Sequence, residues 1–249
     1  MHTDGRGLTG VEHVPAAGSS PAEASGIGLL GERSLHAGLK QYLVQPGDQL
    51  EVGLDRFVID IVRGELLIEI QTRHLYSQRP KLRRLLQEHQ VRVVHPLPKD
   101  RWIVREDRDG RRISRRKSPK HAGMPDIFAE LVRVADLVAH PNLTLEVLLI
   151  DEEQVWRDDG MGSWRRQKWS LADRRLLGVQ ESAVFEVAAD YAALLPQLPA
   201  TFTNAELAKM PGWRPRLAGQ ATYALRAMGM LEVEGKQGRS NLFRRIGGE

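Results

Sequence analysis

Three side chains in the stretch "DRFVIDIVRGELLIEIQTRH", residues 55 to 74, could do chemistry: Asp60, Glu69 and Gln71. Each interrupts a run apolar enough to be a buried β-strand. If Gly64-Glu65 forms a two-residue turn, with glycine at the first position of a type II′ turn, residue 63 pairs with 66 and Asp60 falls opposite Glu69. Gln71 then shares their side of the sheet, because successive strand residues alternate faces. If Arg63-Gly64 turns instead, the pairing slips by two and the three polar residues still share a face. The other side, made of Phe57, Ile59, Ile61, Leu66, Ile68 and Ile70, is wholly apolar. Carboxylates facing each other across a strand pair repel unless positive charge lies between them. Mg²⁺, or Mn²⁺ in its place, meets that demand with oxygen ligands, usually one or two carboxylates plus waters and substrate phosphates. Asp60, Glu69 and the backbone carbonyl of Ile70 could supply such a site. A sheet with one wet face would leave the same residues merely exposed, but Val58, Val62 and Leu67 on that face argue for a covered cleft.

The elements that must position these residues read as follows. "GLLGERSLHAGLKQYL" is an amphipathic helix with Leu30, Leu35, Leu39 and Leu43 near one face. "GDQLEVGLD", "RFVIDIV" and "LLIEIQT" are three strands. "RPKLRRLLQEH" is a helix with Pro80 in its first turn, where a missing N–H costs least. "VRVVHPLP" is a further strand. A helix crossing over to another strand implies a mixed sheet flanked by helices, so the fold class is α/β (α+β). "RWIVRED" and "RRISRR", around the turn "DRDG", could extend the sheet as a hairpin. "MPDIFAELVRVADLVAH" reads as a helix, "LTLEVLLIDEEQV" as a long strand, and Ala188 to Leu195 as another helix. The stretch around Trp164, Arg165, Arg166, Lys168 and Trp169 alternates basic and aromatic residues, as nucleic-acid contacts often do; tryptophans packed under a hairpin explain it equally well.

Helix, three strands, helix, strand, with Asp late in the second strand and Glu-x-Gln in the third, resembles the PD-(D/E)xK nuclease superfamily. That superfamily contains restriction endonucleases, Holliday-junction resolvases and repair exonucleases. The resemblance covers about residues 27–98 and implies an αβββαβ core. It implies that Asp60 matches the motif's Asp, Glu69 its second acid and Gln71 its lysine, with Glu32 on the first helix completing the metal site. These carboxylates would hold Mg²⁺, which activates water for attack on a phosphodiester. The sequence departs from the pattern twice. Ile59 stands where the signature has proline, and Gln71, which can orient water but supplies no positive charge, stands where it has lysine. Arg73 and His36 are candidate replacements for that charge.

Residues from about 200 to 246 resemble a winged helix: a short helix capped by Thr203 with Glu206 as in a capping box, a "PGW" turn, a second helix with Pro215 at its start, then a hairpin. The resemblance implies that the helix from Arg214, with Arg216 and Gln220, enters the major groove. Lys236, Arg239, Arg244 and Arg245 on the wing would meet phosphates. A winged helix can equally serve as a protein-contact or dimerisation module, so a homodimer is compatible with the sequence. Between Lys99 and Lys120 stand ten Lys/Arg against four Asp/Glu, a local excess of +6 in a chain of net charge +4. The remainder is therefore near −2. Such a segment, with Arg112, Arg115 and Arg116, could track DNA phosphates with steeply salt-dependent affinity, or could be a solvated loop.

Composition removes other chemistries. With no cysteine, disulfides and thiolate metal sites are excluded. There is no Walker-type loop, G-x-S-x-G elbow or H-E-x-x-H. The longest apolar runs, such as "LTLEVLLI", are too short to span a bilayer. Residues 1–26 lack the basic start and apolar block of a secretion signal and read as a disordered tail. The organisation expected is that tail, a nuclease-like domain over 27–120, a central α/β region over 121–195 and a winged helix over 196–249. The protein expected is a cytoplasmic, Mg²⁺-dependent nuclease-like protein acting on DNA, or a DNA-binding relative that keeps the scaffold without turnover.

Overall fold

The computed structural model describes residues 33–162, 164 and 169–246. The expected tail, Glu32 and Leu30, and the basic residues Arg165, Arg166 and Lys168, lie outside the described residues. Helix α1 (Arg33–Leu43) buries Leu35 and Leu39 completely, one turn apart, with Leu43 packed beside them. Strands β1 (Gln49–Leu54), β2 (Phe57–Arg63) and β3 (Leu66–Ile70) form an antiparallel meander. Helix α2 (Arg79–Leu85), with Pro80 in its first turn, carries the chain to β4 (Gln90–Glu106), which runs parallel to β3. The order helix, three strands, helix, strand is present.

The seven-stranded sheet then continues in a way the sequence did not suggest. "VRVVHPLP" and "RWIVRED" are one 17-residue strand, β4. Its first half pairs with β3 and its second half with β5 (Arg112–Lys117), so the basic hairpin forms as expected. Along its other edge it pairs throughout with β6 (Leu143–Arg157), which in turn pairs with β7 (Ser170–Phe185). Two prolines, Pro96 and Pro98, stand in this inner strand. Proline lacks an N–H to give a ladder and belongs only where an edge is vacant. The vacancy is the gap between the end of β3 and the end of β5: Val94 still accepts from Gln71 N–H, and the Pro98 carbonyl accepts from the Ala122 N–H of a crossing loop. The strands expected in a separate central region therefore belong to the same sheet as the αβββαβ core.

"MPDIFAELVRVADLVAH" is not one helix. It is a 3₁₀ turn (Met124–Ile127), α3 (Phe128–Leu131) and α4 (Ala135–Val138). Arg79 explains the break: its guanidinium donates to the Arg133 carbonyl and grips both oxygens of Asp136 at 2.9 and 2.8 Å, tying α2 to the corner between the two short helices.

After α5 (Ala188–Ala192) come β8 (Thr201–Phe202), α6 (Asn204–Leu207), α7 (Pro215–Ala227), β9 (Leu231–Gln237) and β10 (Ser240–Arg245), with a small sheet in the order β8-β10-β9. The capping box forms, Thr203 Oγ1 accepting from Glu206 N–H at 3.3 Å and Glu206 Oε2 from Thr203 N–H at 2.7 Å. This C-terminal unit shares its core with the large sheet. Leu217, Ala221 and Phe243 belong to the cluster that also holds Val93, Leu131 and Leu145, Phe128 meets Trp213 at 6.2 Å, and Arg214 pairs with Asp126 at 2.5 Å.

On the other face of the large sheet, α1 crosses β7 closely. A Cβ added at Gly38 would lie 3.1 Å from the Leu176 Cβ. Gly38→Val is therefore expected to lift α1 from β7 and lower stability by about 1–3 kcal/mol in urea denaturation, with Gly38→Ala costing less.

Candidate active-site cleft

The turn between β2 and β3 is Gly64-Glu65. Arg63 pairs with Leu66, and Gly64 alone of the two turn residues has positive φ (+56°), as a type II′ turn requires. The ladder runs only to Ile61–Ile68. Where the next pair would stand, the Asp60 carboxylate accepts from the Ile70 N–H at 2.9 Å. A side chain thus replaces a backbone rung, and β2 twists away from β3. One expectation fails for this reason: Ile59 and Ile61 do not share a core. Ile61 packs with Ile68, Ile70 and α1, whereas Ile59 packs with Leu67, Leu82 and the helices of the other face.

The parting strands open a cleft of about 900 Å³ between α1 and α2, lined by Asp60, Glu69, Ile70 and Gln71. His36, Lys40 and Lys81 line it too. The carboxylates meet in one site, and positive side chains meet them. Asp60 Oδ1 lies 3.1 Å from His36 Nε2 and 3.4 Å from Lys40 Nζ. Lys81 Nζ lies 2.6 Å from Glu69 Oε2 and donates to the Val58 carbonyl. Lys40 and Lys81 are the residues sequence reasoning missed. Lys81 opens α2, twelve positions after Glu69, and only the crossover of a parallel β3–β4 connection brings that turn back over the strand.

The two acids titrate apart. Burial pushes Asp60 up, but the His36 hydrogen bond, the Ile70 amide and the charges of His36 and Lys40 outweigh it, and the net direction is down. Burial dominates at Glu69; Lys81 opposes it and the Asp60 charge adds to it, leaving the carboxyl pushed up to about 7. Glu69 Oε1 is buried with no hydrogen-bond partner among the described residues. Ile70 turns its N–H toward Asp60, and in a strand the C=O of the same residue points to the same edge. Among the described residues no three His, Asp or Glu side chains converge as a ready-made metal site. The donors at hand are two carboxylates and a carbonyl, which suits Mg²⁺ completing its shell with waters and phosphate oxygens.

Gln71 is only 9% exposed and structurally committed. Its amide nitrogen donates to the His74 carbonyl at 3.0 Å and Ser77 Oγ at 2.9 Å, and its oxygen accepts from Gln78. It braces the loop after β3. The cation absent from its position is present in the cleft as Lys81.

The residues expected to meet DNA divide into two sets. Arg214 pairs with Asp126, Arg244 with Glu232 and Glu234, Arg245 donates to the Pro196 carbonyl, and Arg115 grips Glu153. These four are engaged with partners of the fold. Arg216 and Gln220 lie one turn apart on the outer face of α7 with Tyr223, and Lys236 and Arg239 flank the exposed turn at Gly238. Arg112 and Arg116 project from the outer strand β5.

A family model described as "Domain of unknown function (DUF8091)" matches residues 33–186. An uncharacterized protein of Treponema pallidum (strain Nichols) is 35% identical over 219 residues, covering 86% of this chain and 85% of that protein. No solved structure matches. No helix among the described residues is long and apolar enough to cross a membrane.

Because the folded-state value of Glu69 lies above its ordinary 4.5, the native state binds more protons than the unfolded chain between about pH 4.5 and 7. Stability from this residue is present below that window and lost as pH rises through it. The difference in unfolding free energy between wild type and Glu69→Gln should shift by about 3 kcal/mol against the wild type from pH 4.5 to 8. Urea melts across that range check it, other titrating groups cancelling in the difference.

Proposed function

The chain belongs to the DUF8091 family, a domain of unknown function, and from the geometry of its cleft we propose that it is a Mg²⁺- or Mn²⁺-dependent DNA phosphodiesterase of the PD-(D/E)xK kind. One observation carries the reading: Glu69 keeps a buried oxygen, without a partner among the described residues, in the cleft that also holds Asp60. A divalent cation held by Asp60, Glu69 and the Ile70 carbonyl would lower the pKa of a bound water and offset charge growing on the phosphate. Lys81 keeps Glu69 available as a carboxylate and supplies the positive charge that Gln71 lacks. His36 and Lys40 aim Asp60. The order α5-β8-α6-α7-β9-β10 supports reading the C-terminal unit as a winged helix, with Arg216, Gln220 and Tyr223 toward the major groove and Lys236 and Arg239 on phosphates. The cytoplasm is the compartment that best fits a DNA substrate.

A second reading, a DNA-binding protein without turnover, draws on a different fact. His36, Lys40 and Lys81 already neutralise the two acids, and the Gln71 amide is fully engaged.

Purified protein with Mg²⁺ or Mn²⁺ should nick plasmid or cut branched DNA, and Asp60→Asn or Glu69→Gln should reduce cleavage to background. Lys81→Met should lower it roughly 10–100-fold, the effect of losing a group that supports a ligand. Intact DNA under both metals, with binding retained, would establish the second reading instead. For docking, Arg216→Ala and Lys236→Ala should each weaken duplex binding on all sequences and reduce the salt slope by about 1 per lost phosphate contact, whereas Arg244→Ala should leave that slope unchanged.

A further inference from the structure

The lower half of the long sheet holds a second concavity that the cleft does not use. Between β4, β5 and β6 a cavity of about 610 Å³ is lined by Arg105, Arg116, Lys120, Gln154, Trp156 and Trp169 among others, with no acidic residue among the described residues that line it. The strand registers make it one surface. Arg101, Ile103 and Arg105 alternate along one face of β4, opposite Glu152, Gln154 and Trp156 on β6, and Arg116 stands across from Ile103. The Arg105 guanidinium already lies over the Trp169 ring, 5.1 Å from its centroid. That stack can be extended, since guanidinium planes and indole rings are both platforms for a nucleobase.

The cradle is rigidly tied to the cleft. Arg174 donates to the Thr72 carbonyl at the cleft rim and to Glu152, which is wholly buried; Glu152 in turn holds Arg101 of the cradle at 2.6 Å. A chain of three side chains therefore joins the two concavities on one sheet.

We propose that this cradle binds an unpaired stretch of nucleotides, bases against Trp156 and the Arg105–Trp169 stack, phosphates against Arg116 and Lys120. Aromatic platforms beside cations, without a carboxylate to repel the backbone, are the means by which proteins hold single strands regardless of sequence. The ligand class is a strand: cations on both sides of the rings suit successive phosphates, and the volume accommodates a ligand of nucleotide size or larger. The inference rests on the phosphodiesterase reading for what becomes of the strand, and it narrows the substrate to DNA with a single-stranded portion, such as a flap, a gap or a branch.

The test is binding without metal, so that cleavage plays no part. In EDTA and low salt, a fluorescein-labelled thymidine 12-mer should raise anisotropy on titration with the full chain. Arg105→Ala and Arg116→Ala, both at exposed positions, should each weaken it about tenfold, as loss of a stacking or phosphate contact does. Lys209→Ala, which removes an exposed cation outside the cradle and the cleft, should leave 12-mer binding unchanged. Failure of the 12-mer to bind, or wild-type affinity in both cradle variants, would overturn the proposal, and so would thymidine monophosphate binding as tightly as the 12-mer. The two readings fail separately: cradle variants that weaken the 12-mer in a protein that never cuts DNA leave the cradle standing alone. Cleavage with an unaffected 12-mer does the opposite.

Discussion

A carboxylate removed from water must meet positive charge or a proton, and this requirement at Asp60 and Glu69 organises the cleft end of the molecule. Asp60 takes a backbone amide from β3 in place of a β-ladder rung, so β2 and β3 separate and leave space. The space is closed on one side by α1, through His36 and Lys40, and on the other by α2, through Lys81. Two helices on opposite faces of a sheet thus converge on two acids. Their unequal shielding, two basic side chains and an amide at Asp60 against one short ion pair and an oxygen without a partner among the described residues at Glu69, separates their proton affinities. A pair of carboxylates divided in this way resembles the arrangement by which acid and base roles are assigned at other sites.

The same economy of charge recurs below the cleft. Glu152 is completely buried in the middle of β6, yet Arg101, Arg174 and Gln154 all reach its two oxygens. A buried ion group of this kind adds little net stability compared with apolar packing, because desolvation offsets the attraction. What it does is fix position: it pins β4, β6 and β7 to one another and to the loop after β3. Extended strands of 15 to 17 residues are prone to slip, and a directional charge cluster at mid-length, with bulges on either side, specifies their register.

The C-terminal unit is joined to the sheet rather than strung from it. Its second helix buries two adjacent stripes, one against its own small sheet and one against the short helices that follow β5. Arg214, at the start of that helix, is consumed by this junction. The outward face that remains is narrow and polar, with Arg216 in its first turn and Arg226 in its last. A rigid junction of this kind would hold whatever that face binds at a constant angle to the cleft.

The alternation of apolar and polar residues in 55–74 by itself determined the hairpin and the shared side of Asp60, Glu69 and Gln71, because strand residues alternate faces whichever turn forms; the structure decided between the two turns in favour of Gly64-Glu65. The sequence likewise determined α1, the crossover helix, the basic hairpin and the Thr203–Glu206 cap, each set by contacts within a few residues. What only tertiary structure decided depends on distant neighbours. Lys81 and Lys40 have no signal as partners of the acids until a parallel crossover and a helix packing bring them there. "VRVVHPLPKDRWIVRE" reads as two strands because its prolines are penalised locally, and it is one because the missing N–H groups fall in a gap between two other strands. The helix expected over 124–140 breaks because Arg79, some 50 residues earlier, takes the carbonyl at the break. Ile59 and Ile61 part into two cores where a side chain at residue 60 replaces a rung of the ladder, and no period-2 pattern encodes that substitution.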